Sequence, residues 1–180
     1  VYDLFYEAGD YVPLIPFLSG KMEVQGLIRI VYEQNGPIRI LEGRDKLKNA
    51  WIAWKSGVDP NTLLVKGLRQ SGPSDFDLLS KQFDGLLIDA IGNPTLALET
   101  MRQLTICSRA NLNGNLLMVV EAADMLLPAG SGDVASLNDK QRHRVAIVQD
   151  WFSDPEFMLG GDSVILVAES RSLVHPRQQD

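Results

Sequence analysis

Leu116-Leu117-Met118-Val119-Val120-Glu121-Ala122-Ala123-Asp124 is the most informative stretch of this chain. Five consecutive apolar residues, two of them β-branched, stop abruptly at a carboxylate. A run apolar on both faces predicts a central strand of a parallel sheet, covered by helices on either side. Val164–Val167 repeats the pattern and leads into Ala168-Glu169-Ser170-Arg171. Ligands of parallel α/β sheets sit beyond the carboxyl ends of the strands, so the residues just after each strand are the candidates for function.

The surrounding sequence supplies the helices. Between the two strands, the Gly-rich stretch Pro128–Asp133 predicts a loop. Leu137-Asn138 then leads into a helix through Trp151, with Val145, Ile147, Val148, Trp151 and Phe152 apolar, and Gly160-Gly161 is expected to break it. Upstream, Asn93-Pro94 opens a helix with proline at its first position, where the missing N–H costs nothing. Leu96, Leu98, Met101, Leu104 and Ile106 populate that helix, which ends at Asn111–Asn115. Asp75 is expected to cap a helix running towards Ile91, after the loop Gln70–Ser74. Thr62–Val65 predicts a short strand entered through the Asp59-Pro60-Asn61 turn. Lys46–Lys55 predicts a helix with Leu47, Ala50, Trp51 and Trp54 on one face and Gly57 as its stop. Pro37 opens a short apolar strand, Ile38–Leu41.

Met22–Gln34 predicts an amphipathic helix, because Val24, Leu27, Ile28 and Val31 recur at helical spacing and Asn35-Gly36 closes it. A hairpin across Asn35-Gly36 competes with that reading, since Ile28–Tyr32 is rich in β-formers and Asn-Gly favours a tight turn. The resulting order is helix, β, α, β, α, α, β, α, β. It argues for a three-layer α/β sandwich around a mostly parallel sheet. Residues 1–36 are expected to form a helical lead-in, 37–176 the α/β core and 177–180 a polar tail.

Composition narrows the function classes. The chain has 180 residues, 45% hydrophobic and 22% charged, with a net charge of -6. That length suits one domain with a sizeable core. No apolar run reaches the roughly 18–20 residues of a membrane helix, and with no basic n-region ahead of an apolar h-region no secretory signal is expected. An acidic balance argues weakly against a dedicated nucleic-acid binder, and a local basic patch is compatible with it. The single Cys107 excludes an internal disulfide and suits a reducing cytoplasm. The chain begins at Val1 rather than Met, as expected of a piece of a longer protein.

The strand-end residues carry a resemblance. Glu121-Ala122-Ala123-Asp124 after a buried strand is similar to the Walker B segment of the AAA family of P-loop NTPases. Ser170 lies at or near that family's sensor-1 position, and Arg171-Ser172-Leu173-Val174-His175-Pro176 matches the stretch that follows it. The resemblance covers roughly Pro37 to Pro176. It implies a sheet in the order 5-1-4-3-2, with Ile38–Leu41 as first strand, Gly43 to Lys46 where the phosphate loop belongs, and the fifth strand and helical lid absent. Glu121 would hold Mg²⁺, Lys46 would meet the phosphates, and Arg171 and Arg177 would be remnants of subunit contacts.

The departures from that pattern bear on chemistry. A working phosphate loop is G-x-x-x-x-G-K-[ST], in which backbone N–H groups cradle the phosphates and the hydroxyl binds Mg²⁺. Ser19-Gly20-Lys21-Met22 has Ile15 at the first glycine position and Met22 in place of the hydroxyl. Glu42-Gly43-Arg44-Asp45-Lys46-Leu47 lacks one glycine and the hydroxyl, and sets two carboxylates against phosphate. Ala122 stands where the family's water-polarising glutamate would be, so no side chain there can activate water. The expectation is a non-catalytic AAA-like module, with no catalytic residue and no cofactor, acting as a scaffold or regulatory domain for an active AAA domain or for ring subunits. Degenerate first domains of tandem AAA-like proteins are the model. A divergent ATPase that binds ATP and Mg²⁺ is the enzymatic alternative, and a plain α/β interaction module is the third.

Plainer readings stand beside these. Glu121 could be a rim carboxylate, Asp124 a loop cap, Ser170 a turn residue, and Arg171 and Arg177 exposed arginines. Lys140–Arg144 reads as a solvated basic helix face. His143, His175 and Cys107 form no metal-ligand or thiol constellation. Cys107 reads as a buried hydrophobe, and Trp51, Trp54 and Trp151 as core or interface anchors.

Overall fold

The computed structural model describes residues 16–17, 27–67, 74–112, 114–129, 137–170 and 173–174. The elements are β1 (Ile28–Tyr32), β2 (Ile38–Glu42), α1 (Arg44–Ser56), α2 (Pro60–Gly67), α3 (Asp75–Asp89), α4 (Pro94–Asn111), β3 (Leu116–Val120), α5 (Ala123–Leu126), α6 (Asp139–Phe152), α7 (Pro155–Leu159) and β4 (Ser163–Leu166). The four strands form one sheet in the order β2-β1-β3-β4. β1, β3 and β4 run parallel, and β2 is antiparallel at one edge. The fold is thus α/β, with a mostly parallel sheet flanked by helices.

β3 is what the sequence predicts, buried along its whole length. Leu116, Met118 and Val120 share one core cluster with Ile28, Ile30 and Tyr32 of β1 and with the helices. The alternate residues Leu117, Val119 and Val31 point to the other face by the period of two and are also buried. Burial on both faces requires near-continuous apolar strands, which is why β3 has no polar position.

Helix α1 buries Leu47, Ala50, Trp51 and Ile52 and stops at Gly57, whose φ of 66° closes the C-terminus. Trp51 meets Phe83 of α3 with ring centroids 5.7 Å apart. Trp151 packs with Phe152 and Phe157, and Trp54 lies half-buried against the same core. The three tryptophans are therefore core anchors. In α4, Thr105 and Ser108 stay buried because their hydroxyls donate to the carbonyls three residues back.

Three sequence expectations are corrected. Residues 28–32 form β1 and not the last turns of a helix over Met22–Gln34, so the hairpin reading holds. Asn35 takes a φ of 62° and Gly36 N–H donates to Glu33 O at 2.9 Å, closing the turn. The helical spacing of Ile28 and Val31 lost to the parallel ladder that β1 makes with β3. β1 therefore belongs to the sheet, although it precedes the expected core boundary at residue 37. Thr62–Val65 lies in α2 rather than in a strand. The Asp59 carboxylate accepts the Asn61 N–H at 2.8 Å while Pro60 holds the first helical position. Finally, Ser74 rather than Asp75 caps α3. Its hydroxyl accepts the Asp77 N–H, and the Asp77 carboxylate accepts the Ser74 N–H, each at 3.1 Å.

The sheet order also relocates the family strands. The resemblance puts Ile38–Leu41 first, next to the sensor-1 strand. In the structure β2 lies at the opposite edge from β4 and runs against the others. The neighbours β4-β3-β1 instead reproduce the 4-3-2 part of the expected order.

Candidate functional site

The carboxyl ends of β1, β3 and β4 meet at one end of the sheet. Glu121 N–H donates to Tyr32 O at 2.9 Å, Val167 N–H to Val120 O at 2.8 Å and Ala123 N–H to Val167 O at 2.8 Å. These bonds hold β3 between its neighbours and fix where Glu121 emerges. The chain then turns at Ala122, which has φ 51° and ψ 44° and N-caps α5. The Ala122 carbonyl accepts from Met125 and Leu126, while Ala123, Leu126 and Leu127 are buried beneath. Burying these three apolar side chains is the force that makes the turn sharp.

Glu121 and Asp124 are half-exposed at this end. Asp124 sits in the first turn of α5 and does not cap it, since no side chain bonds the cap there. Ser170 lies beyond β4 in a turn closed by Leu173 N–H on its carbonyl at 3.1 Å. The adjoining strands thus bring Glu121, Asp124 and Ser170 to one end of the sheet. Arg171 and Arg177 lie outside the described residues, as do Ser19-Gly20-Lys21-Met22 and His175.

Gly43 and Lys46 are elsewhere. β2 is antiparallel to β1, with Glu42 opposite Arg29, so Gly43 sits beside the first residues of β1. At about 3.3 Å per residue, a five-residue strand leaves roughly 15 Å between the two ends of the sheet. Gly43 has a φ of 75°, and a Cβ there would lie 2.6 Å from Ile28 Cγ1. Its glycine character is explained by packing. Lys46 instead lines a cleft of about 540 Å³ with Asn49, Asp59, Asn61 and Asn111. The lysine and glycine thus sit at one end of the sheet, and the carboxylates and Ser170 at the other. No three His, Cys, Asp or Glu side chains converge as metal ligands among the described residues.

Two further residues occupy the carboxyl end. Tyr32, the last residue of β1, is fully buried, and its hydroxyl makes no hydrogen bond of ordinary geometry. Burial raises its pKa, while the nearby Asn35 amide and the Arg144 guanidinium pull it back down. Arg144 of α6 is 8% exposed, and its Nε has no partner. Burial lowers its pKa, and proximity to Tyr32 opposes that. Arg144 hides in the sequence inside the charge run Lys140–Arg144. The revealing signal is its spacing: it shares a stripe with Ile147, Val148 and Trp151, all buried. His143, one position earlier, faces outward and lies 3.5 Å from Glu99.

Cys107 is buried, its Sγ 3.2 Å from Leu104 O, and burial pushes its thiol up to about 12. It is an inert core residue, as the sequence suggests.

A family model, described as the AAA+ chaperone N-terminal Rossmann-like domain, matches residues 1–178. No curated protein and no solved structure matches the chain. The family match spans nearly the whole sequence and agrees with the parallel β1-β3-β4 core. The chain belongs to the family of N-terminal Rossmann-like domains of AAA+ chaperones.

Proposed function

We propose that this domain is a non-catalytic module that serves an active AAA ATPase domain, or the subunits of its ring, as a scaffold or regulatory element. The observation that carries the reading is the division of the candidate residues between the two ends of the sheet. Phosphate transfer needs a cradle, a metal ligand and a water-activating group within one site. Here Gly43 and Lys46 are separated from Glu121 by the length of the sheet. Ala122, at the position of the water-polarising glutamate, has no side chain able to accept a proton. Glu121, Asp124 and Ser170 are then vestiges of a nucleotide site, and Arg171 and Arg177 are candidates for contact with a neighbouring subunit. The AAA+ chaperone family supports a protein partner.

Calorimetric titration of the chain with Mg·ATP tests this reading, together with the ATPase rate of the AAA+ protein carrying Glu121→Gln or Lys46→Ala. The expected result is no heat of binding at micromolar nucleotide and an unchanged ATPase rate in both variants. Turnover of ATP by the chain alone would overturn it.

A further inference from the structure

The two edges of the sheet differ in their protection. An edge strand presents unpaired N–H and C=O groups, and proteins shield it with charges, bulges or a covering element. β2 has all three: it carries Arg39 and Glu42, its register with β1 shifts between Arg29 and Ile30, and α3 packs against it. β4 is different. The run Val164-Ile165-Leu166-Val167-Ala168 has no charge and no proline, and its register with β3 is regular. Among the described residues only β3 pairs with it. The ladder fixes the direction of its free groups. Val167 N–H donates to Val120 O and Val167 O accepts from Ala123 N–H, so Val167 turns both groups towards β3. By the period of two, Ser163 and Ile165 do the same, and Val164 and Leu166 turn theirs outward from the sheet. Residues 164–168 are only half-buried, unlike β3. Just ahead of the strand, Met158 is 70% and Leu159 89% exposed.

We propose that β4 pairs edge to edge with β4 of a second copy of this chain, antiparallel about a two-fold axis at Ile165. A two-fold contact needs a self-complementary surface, and this edge complements itself. With Ile165 on the axis, Val164 of one copy faces Leu166 of the other. Both residues turn their N–H and C=O outward, so each such pair exchanges two hydrogen bonds. Ile165 meets its own counterpart between them, β-branched side chain against β-branched side chain. The charges at the ends of the strand are compatible with this register. Glu169 falls opposite Gly161, which has no side chain. Asp162 falls opposite Ala168, and its carboxylate is turned inward onto the Leu116 N–H at 2.7 Å. No like charges oppose each other along the pair, and two four-stranded sheets become one continuous sheet. The contact goes beyond the scaffold reading and does not depend on it, because none of the vestigial nucleotide residues lies in the paired run.

Sedimentation velocity of the chain from about 1 to 300 μM tests the proposal. Wild type is expected to pass from one to two chain masses across that range. Ile165 lies outside the core cluster, so Ile165→Lys sets like charges face to face at the axis without disturbing the interior. It is expected to stay at one chain mass with an unchanged circular dichroism spectrum. Mixing it with Ile165→Glu is expected to restore the pair as a one-to-one heterodimer. Ile165→Cys reads the register independently. Directly opposite residues of a non-hydrogen-bonded antiparallel pair have Cα atoms about 4.5 Å apart, within disulfide reach. On oxidation this variant is expected to cross-link into a dimer, whereas wild type, whose Cys107 is buried, is not. Should Ile165→Lys fail to fold, the Ile165→Cys cross-link decides alone. A wild type that remains at one chain mass throughout overturns the proposal. So does a dimer that a folded Ile165→Lys leaves intact, or a wild-type dimer whose Ile165→Cys variant does not cross-link, since either places the contact elsewhere.

Discussion

Ala122 and Gly43 show how residue-scale physics redistributes roles among sequence candidates. Ala122 holds a left-handed conformation at a cost of roughly 1–2 kcal/mol, because its Cβ crowds the following carbonyl. The buried Ala123, Leu126 and Leu127 offset that cost. Gly43 has the opposite history: its lack of a side chain is required by φ 75° and by contact with Ile28. Two substitutions read this directly by urea denaturation. Ala122→Gly should raise stability by about 1 kcal/mol, since glycine reaches the same backbone without strain. Gly43→Ala should lower it by about 2 kcal/mol or more, through strain and displacement of a buried isoleucine. A neutral Gly43→Ala would reopen a ligand-binding explanation for that glycine.

At the scale of elements, the join between β3 and β4 rests on a half-buried carboxylate. Asp162 precedes β4, and its Oδ1 accepts the N–H of Leu116, the first residue of β3, at 2.7 Å. Burial raises the Asp162 pKa, with the Leu116 N–H and Arg109 acting against the rise. The folded state therefore binds more protons than the unfolded one from about pH 4 up to the raised folded value, and this group's contribution falls as pH climbs through that window. Asp77, Asp84 and Asp154 are shifted down and act oppositely, adding stability as pH rises towards 4. The informative quantity is the difference between wild type and Asp162→Asn, whose amide oxygen keeps the acceptor for Leu116. Wild type should lose stability relative to Asp162→Asn as pH rises above about 4. A flat difference from pH 3.5 to 7 would show that burial does not penalise the Asp162 charge. The legibility of these elements varied for physical reasons. β3 was readable because five apolar residues leave no polar face. β1 satisfied a helical template through Val24, Leu27, Ile28 and Val31 and a hairpin template through Asn35-Gly36, and only pairing with a distant strand separates the two. In α2 the run Thr62–Val65 is too short for periodicity to decide, and the Asp59 carboxylate settles it locally. The places of Glu121 and Ser170 after β3 and β4 are legible because strand ends can be read from apolar runs. Arg144 was missed because its neighbours in sequence are charged and its neighbours in space are not.

At the scale of the whole molecule, the proposed lack of nucleotide chemistry rests on topology more than on motif quality. The sequence suggests three separate lesions: a poor phosphate cradle, a missing metal hydroxyl and an alanine at 122. If each were merely a local loss, repairing the last would restore some function. The hairpin of β1 and β2 argues otherwise, because reversing β2 carries Gly43 and Lys46 to the amino end of the parallel strands. A carboxylate restored at 122 would project from the carboxyl end, roughly 15 Å of sheet away from that lysine. Proximity within about 3–3.5 Å is what makes a positioned group effective, so a repaired residue at that separation contributes nothing to phosphoryl transfer. Ala122→Glu should therefore leave phosphate release from Mg·ATP at the background of the wild-type chain, while lowering stability through a larger side chain in a left-handed turn. Release above background in Ala122→Glu would show that a phosphate cradle does exist at the carboxyl end. Lys46→Ala in the same background would then leave the new activity unchanged and direct attention to Ser19-Gly20-Lys21-Met22 as its source.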